Sequence, residues 1–143
     1  MRIVDANVLL YATNEDTPHH LVARDWLAAV LSGSEAVGFA WTVVLAFIRI
    51  ATHPAILPRP LQPEAAIGVV EEWLAQPSAT IVEPTSRHLA IVRSLLASTG
   101  AAANLTNDAH LAAIAVEHGA ELWSFDGDFA RFDGVRWRMP GRD

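Results

Sequence analysis

The chain has 143 residues, of which 52% are hydrophobic and 18% are charged, with a formal net charge of −6 and no cysteine. That length predicts a single domain over residues 1–143. The absence of cysteine excludes disulfides, a thiol nucleophile and thiolate zinc sites, and it is compatible with the cytoplasm. An acidic chain is unusual among nucleic-acid-binding proteins, but all ten basic residues are arginines, which suit bidentate contact with phosphate. The composition therefore leaves an RNA partner open.

The first half of the chain alternates apolar runs with helical patterns. A buried strand is predicted over residues 2–6, followed by a helical turn at 8–11 and by a helix that Thr17 and Pro18 begin. A second buried strand is predicted over 37–40, and a helix capped by Thr42 runs to Thr52. The apolar stretch 36–48 is too short to span a membrane. The inward face predicted for the first long helix comprises Leu21, Val22, Trp26, Leu27 and Val30.

The second half continues the alternation after a proline-rich segment. The four prolines between residues 54 and 63 predict an irregular excursion, and Pro63 suits the first turn of a helix to about residue 75. A strand is predicted over 79–82, a helix over 86–98 with Leu89 inward, and a helix over 106–118 ended by Gly119. Strands are predicted over 121–125 and 135–137. These patterns indicate an α/β fold with a mostly parallel central sheet flanked by helices.

Aspartates follow two of the predicted strands and begin one of the helices. Asp5 lies at the end of the first strand, after the run 2–4, Asp126 and Asp128 follow the strand over 121–125, and Asp108 lies at the start of the helix before that strand. Function in such sheets gathers beyond the carboxyl ends of the strands. Carboxylates brought together there repel one another unless a hard cation such as Mg²⁺ or Mn²⁺ binds them. The pattern therefore predicts a metal site that could activate water against a phosphodiester.

Each of these acids also has a purely structural interpretation. Asp5 could simply terminate a strand, Asp108 could stabilise a helix N-terminus, and Asp126 with Gly127 could form a turn. The turn interpretation is preferred for Asp133, which precedes Gly134.

Several neighbours could support the acids or serve the backbone instead. Asn7 could orient Asp5, bind phosphate or begin a helix, and Thr106 and Ser124 could bond to the acids or act as a cap and a strand end. The six histidines are expected to be surface or capping residues, and only His110, two positions after Asp108, is singled out. Trp137, between two arginines, could stack on RNA bases, but a core position on a strand is preferred.

Four segments in this order and spacing resemble the PIN-domain family, and within it the VapC-type toxins of bacterial type II toxin–antitoxin pairs. The resemblance implies a PIN fold, endoribonuclease activity that depends on Mg²⁺ or Mn²⁺, cleavage of tRNA or ribosomal RNA, a homodimer, and inhibition by a cognate VapB-like antitoxin. The family's catalytic and metal-binding acids map to Asp5, Asp108, Asp126 and Asp128, and Arg49 matches the arginine of its middle helix. The segments are residues 3–12, residues 46–54 without Ile50, residues 104–113 and residues 119–129.

The chain departs from that family at one expected acid. The family usually has a glutamate three residues before the arginine of the middle helix, where this chain has Ala46, and no acid lies between Glu35 and Glu64. One alternative is therefore a non-catalytic PIN scaffold that binds RNA or a protein partner. A more distant alternative is phosphate transfer with Asp5 as nucleophile. Haloacid-dehalogenase-like enzymes usually have a second aspartate two residues later, where this chain has Asn7. Receiver domains have a lysine near their end, whereas this chain has no lysine.

Overall fold

The computed structural model describes residues 1–100 and 105–142. Residues 101–104 and 143 lie outside this description. They include Asn104, the first residue of the third segment that resembles the PIN-domain family. Among the described residues no helix is long and apolar enough to cross a membrane. The strands are β1 (Arg2–Val4), β2 (Val37–Ala40), β3 (Ala79–Val82), β4 (Glu121–Trp123) and β5 (Trp137–Arg138). The helices are α1 (Ala6–Thr13), α2 (His20–Leu31), α3 (Trp41–Ala51), α4 (Pro63–Leu74), α5 (His88–Thr99) and α6 (Thr106–Glu117), with a 3₁₀ helix over Gly127–Arg131.

The five strands form one parallel sheet in the order β3-β2-β1-β4-β5, which confirms the predicted α/β class. Consecutive residues of the central strands are apolar because helices cover both faces of the sheet. Accordingly, Ile3, Phe39 and Leu122 on three neighbouring strands are fully buried. Gly38 on β2 lies where a Cβ atom would come within 3.0 Å of side-chain carbons of both Ile3 and Val82. A larger residue at this position would crowd both neighbours, so glycine suits the close packing around β2.

The direction of winding reverses at β1. From this strand the chain proceeds to β2 and β3 on one side and later to β4 and β5 on the other. In open α/β sheets such a reversal leaves a crevice outside the carboxyl ends of the two strands that flank it. Residues that directly follow β1 and β4 are therefore placed at the mouth of that crevice.

Four helix starts differ from the sequence prediction, and two of the differences are shifts of two residues: α1 begins at Ala6 and not at residue 8, and α5 begins at His88 and not at residue 86. Helix α2 begins at His20 because Thr17 and Pro18 form a preceding turn, in which the Thr17 hydroxyl accepts a hydrogen bond of 3.3 Å from the His19 N–H. Helix α3 begins at Trp41 with Ala40 as its cap, so that Thr42 lies within the first turn and does not cap it. In contrast, the irregular segment after α3 and the placement of Pro63 in the first turn of α4 are confirmed.

The predicted inward faces of two helices are wrong at three positions, although Leu27 is buried and Trp26 and Val30 pack against the core. Leu21 and Val22 are 60% and 43% exposed, because α2 buries Ala23, Leu27 and Leu31, a stripe rotated away from both residues. Leu89 is 72% exposed, and α5 buries only Leu95 completely. Closely spaced apolar residues allow two overlapping helical stripes, and only packing against the sheet decides between them.

Candidate active site

Asp5 is positioned by both its backbone and its side chain. Its N–H donates to the Trp123 carbonyl at 3.0 Å, which continues the pairing of β1 with β4 by one residue. Its side chain is the N-cap of α1, where Oδ1 accepts from the Ala6 N–H at 2.7 Å. The second oxygen, Oδ2, accepts from the Ser124 hydroxyl at 2.7 Å. The strand-end and functional interpretations of Asp5 are therefore compatible, because the same turn that ends β1 fixes the carboxylate.

Ser124 connects the segments that follow β1 and β4. It is fully buried, and its hydroxyl oxygen accepts from the Asn7 side-chain amide and from the Asp126 N–H, both at 3.0 Å. Asn7 in turn accepts from the Phe125 N–H at 3.1 Å through Oδ1. Because a hydroxyl has one proton, its donation to Asp5 fixes the direction of the whole network. The predicted bond between Ser124 and an acid is confirmed, and Asn7 acts on Asp5 through Ser124.

Asp126 and Asp128 lie at the start of the 3₁₀ helix after β4. The Asp126 side chain accepts from the Asp128 N–H at 2.9 Å and so caps this helix. The turn interpretation of Asp126 is therefore confirmed, and the place of Asp126 and Asp128 in a metal site stays a prediction. Asp133 lies in a turn with Gly134, whose φ is 81°, which confirms the preferred interpretation for that residue.

The predicted acids lie near enough to one another for their charges to interact. Burial is the largest influence on Asp108, and the charges of Asp126, Asp5 and Asp128 add to it, raising its pKa to about 6. Burial also raises the pKa of Asp5, although hydrogen bonds from Ser124 and Ala6 oppose the shift. Like charges that perturb one another in this way indicate a site suited to a cation.

A fit to a divalent cation rests on the chemistry of these donors. Among the described residues, no three histidine, aspartate or glutamate side chains lie close enough together to form a ready-made metal site. Mg²⁺ commonly binds through one or two carboxylates, with water and substrate phosphate completing its six ligands. Asp5 and Asp108, which line one cleft, supply that number of carboxylates. The donor set therefore fits a hard cation that shares its coordination with solvent and substrate.

The cleft beside these acids has a volume of about 420 Å³. Asp5 and Asp108 line it together with Ala46 and Arg49 of α3 and His110 of α6. Arg49 is exposed and forms no ion pair among the described residues, so its guanidinium can meet an anion. Ala46 places a methyl group in the cleft, which confirms that α3 contributes no acid there.

Thr106 is not brought to the acids. It begins α6, is exposed, and its hydroxyl forms no hydrogen bond with any described residue. Trp137 occupies the preferred strand position on β5, packs against the core and donates to the Ser124 carbonyl at 3.0 Å. Trp137 thus supports the backbone beneath the site.

A connected pair of histidines was missed by the sequence analysis. His88 of α5 lies between Glu117 and His110, with 2.8 Å from Nδ1 to the Glu117 carboxylate and 2.8 Å from Nε2 to His110 Nδ1. Burial and the nearby His88 lower the pKa of His110. The spacing of His110 and Glu117, seven residues apart on one helix, places both on one face of α6 and was the available signal. The surface interpretation is therefore wrong for His88 and His110.

Comparison with known proteins agrees with this architecture. Residues 2–135 match the model of the PIN domain family. The chain is 56% identical over 140 residues to "Ribonuclease VapC37" of Mycobacterium tuberculosis, covering 98% of this chain and 97% of the relative. It is 40% identical over 143 residues to "Ribonuclease VapC33" of the same species, covering the whole of both chains.

Solved structures share the fold at low sequence identity. The VapBC2 complex of Rickettsia felis, bound to a DNA fragment from its promoter, gives a TM-score of 0.72 at 14% identity, covering 97% of this chain and 98% of that chain. Mycobacterium tuberculosis VapC20, described as a toxin that cleaves the sarcin–ricin loop, gives 0.68 at 19% identity, covering 95% and 99%. With its parallel sheet, its acids at the switch in strand order and these relatives, the chain belongs to the PIN domain family and, within it, to the VapC-type ribonucleases.

Proposed function

We propose that this protein is the toxin of a type II toxin–antitoxin pair and a metal-dependent endoribonuclease whose active site comprises Asp5, Asp108, Asp126 and Asp128. The observation that carries the proposal is the placement of Asp5 and Asp108 on one cleft at the reversal of strand order, where burial, and after it the charges of Asp126, Asp5 and Asp128, raises the pKa of Asp108 to about 6. Such a concentration of negative charge opposes RNA binding by itself. It becomes favourable when a divalent cation lies between the carboxylates and a phosphodiester.

Asp5 and Asp108 are the residues that would hold Mg²⁺ or Mn²⁺, with Asp126 and Asp128 near enough to influence it through their charges. When bound, such an ion supplies polarisation of the phosphodiester and a water of lowered pKa. Asp5 is held ready for this role because Ser124 and the Ala6 N–H each occupy one of its oxygens. Arg49, across the cleft, would bind a phosphate oxygen of the RNA.

The relatives support a proposal about the biological partners. We propose that the substrate is a tRNA or ribosomal RNA and that cleavage inhibits translation. A neighbour in fold, VapC20, is described as a toxin that cleaves the sarcin–ricin loop. A VapB-like antitoxin would inhibit the enzyme, since several neighbours in fold are VapBC complexes. We further propose a homodimer that acts in the cytoplasm.

Cleavage of cellular RNA tests the enzymatic part directly. Total RNA is incubated with purified protein and Mg²⁺ or Mn²⁺, and discrete fragments are expected that disappear with EDTA. Asp5→Asn and Asp108→Asn are expected to abolish the fragments and the growth inhibition, because both lose a carboxylate at the proposed ion. Asp133→Asn is the matched control, since it makes the same change in an exposed turn. Cleavage that persists in both site variants would refute the proposal.

A second candidate function is favoured by Ala46. Its methyl group lines the cleft where the family usually has an acid, which would suit a scaffold that binds RNA or a protein without cutting it. This candidate predicts RNA binding that survives EDTA and no cleavage by folded wild-type protein under any divalent cation.

A further inference from the structure

Three aromatic rings lie together beside the segment that carries Asp126. The ring of Tyr11, on α1, is stacked on the imidazole of His19, with centroids 5.2 Å apart and planes inclined by 26°. The ring of Phe125 completes the group, with its centroid 5.2 Å from that of Tyr11 and 4.8 Å from that of His19. His19 is exposed, whereas Tyr11 and Phe125 are half-buried. These three rings, which we call the aromatic shelf, are therefore partly open to solvent.

The aromatic shelf is tied to the proposed active site by two segments of backbone. Phe125 directly precedes Asp126, and its N–H donates to Asn7 Oδ1 at 3.1 Å. Tyr11 lies one turn after Asn7 on the same face of α1. With a rise of about 1.5 Å per residue, Tyr11 lies roughly 9 Å along the helix from Asp5. A nucleotide beside one that is bound at the acids can reach the rings across such a distance.

The turn before α2 holds His19 against Tyr11. The His19 N–H donates to the Thr17 hydroxyl at 3.3 Å, and Nδ1 of His20 lies 2.9 Å from the Tyr11 carbonyl oxygen. The imidazole of His19 forms no hydrogen bond with any described residue, and it contacts the two other rings of the shelf. The shelf is thus assembled by the chain itself, so a ligand that stacks on it needs to order few side chains.

The surroundings of the shelf favour a flat and uncharged ligand. Glu15 belongs to the turn that carries His19, and Asp126 directly follows Phe125. Acids on both sides disfavour a phosphate against the rings. A nucleobase is flat and neutral, and stacking on aromatic side chains is a common way in which proteins bind single-stranded RNA.

We propose that the aromatic shelf stacks on a base of single-stranded RNA whose neighbouring phosphodiester lies at the acids. Every base has a face that can stack, so the shelf contributes affinity and positions the strand without selecting a sequence. Trp137, the ring that the sequence pattern offered for stacking, lies beneath the site and bonds to the Ser124 carbonyl. The inference rests on the proposed function to the extent that RNA occupies the site.

The single tyrosine of the chain makes the contact directly observable. Protein in which tyrosine is replaced by fluorotyrosine gives one fluorine resonance, and it reports on the ring of Tyr11. A short single-stranded RNA of mixed sequence is added with Ca²⁺, which takes oxygen ligands as Mg²⁺ does. A ribose–phosphate chain of the same length without bases is the comparison. The RNA is expected to shift the resonance upfield through the ring current of a stacked base, whereas the chain without bases is expected to leave it in place.

Affinities for the same two ligands measure what each ring contributes. Tyr11→Leu, His19→Ala and Phe125→Leu are each expected to weaken the binding of RNA about five- to tenfold, as the loss of stacking on one base implies. The affinity for the chain without bases is expected to stay unchanged. His118→Ala is the matched histidine control, because His118 follows the end of α6 and bonds to the Glu83 carbonyl. A purely structural role of the rings would weaken the binding of both ligands alike.

The outcomes distinguish this inference from the proposed nuclease. A Tyr11 resonance that RNA leaves unchanged, or that both ligands shift equally, overturns the stacking, and so does an equal loss of affinity for both ligands in the three variants. Cleavage of the same RNA with Mg²⁺ or Mn²⁺ is measured separately. If the wild type cuts nothing but only the chain with bases shifts the resonance, the inference holds and the nuclease proposal fails. Cleavage without such a shift supports the nuclease and overturns the inference.

Discussion

Replacement of Ser124 by alanine removes the hydroxyl that joins the segments after β1 and β4. The hydroxyl donates to the Asp5 carboxylate at 2.7 Å and accepts from Asn7 and from the Asp126 N–H, both at 3.0 Å. A hydrogen bond to a charged group contributes about 1.5–3 kcal/mol, and each neutral bond contributes about 1 kcal/mol. Since Ser124 is fully buried, water replaces the lost oxygen poorly. We therefore expect Ser124→Ala to lower the free energy of unfolding by about 2–4 kcal/mol.

Chemical denaturation followed by tryptophan fluorescence measures this change, and RNA cleavage measured well below the transition separates stability from activity. Cleavage is expected to fall because Asp5 loses the bond that orients one of its oxygens. Ser94→Ala is the matched control, since Ser94 is exposed on α5 and its hydroxyl forms no hydrogen bond with the described residues. A loss in Ser124→Ala of less than about 0.5 kcal/mol, the size of an ordinary surface effect, would refute this account of the network.

Three further expectations concern charge, backbone conformation and the cleft wall. Asp108→Asn should raise the thermal midpoint of the metal-free protein at pH 7.5. The pKa of Asp108 is about 6 in the folded protein and 3.8 in the unfolded chain, so the charged carboxylate lowers the stability of the wild type as pH rises between these values, by about 1 kcal/mol after allowance for solvent screening. The difference between variant and wild type should vanish at pH 3.5, where the carboxyl group is protonated in both states. Gly119→Ala should destabilise the protein by about 1 kcal/mol, because the φ of Gly119 is 60°, a conformation that alanine adopts with strain. Gly68→Ala should stabilise the protein by about 0.5–1 kcal/mol, because Gly68 lies within α4 with open space for a methyl group. Equal denaturation midpoints for the two variants would contradict this expectation. Ala46→Glu should lower the Mg²⁺ concentration that gives half-maximal cleavage, since it adds a carboxylate to the cleft, and an unchanged titration would show that this position does not reach the ion.

The sequence was sufficient to predict those parts of the site that depend on strand ends. Asp5 and Ser124 each directly follow a short apolar strand, and the carboxyl ends of neighbouring parallel strands meet by necessity. The position of Asp108 in the first turn of α6 followed from helical periodicity in the same way.

The parts that depend on how helices pack could not be predicted. The contact between His88 and His110 requires the rotation and register of α5 against α6, which neither helix encodes by itself. Leu21 and Leu89 show the same limit, because the choice of the buried stripe depends on the neighbouring sheet. The start of α2 was misplaced because the Thr17 hydroxyl closes a turn that competes with a helix N-cap.

The central position of β1 has a consequence for the order in which the protein folds. Arg2 is paired with Val37 on one side and with Glu121 on the other, so the first strand to be synthesised completes its hydrogen bonding only with one of the last. Contacts across such a sequence separation form slowly, and during synthesis they must wait until β4 has left the ribosome. Asp5 meets Ser124 through the same pairing. The proposed active site therefore assembles only after β4 has been synthesised and has paired with β1, so the proposed nuclease activity is expected only from that point on.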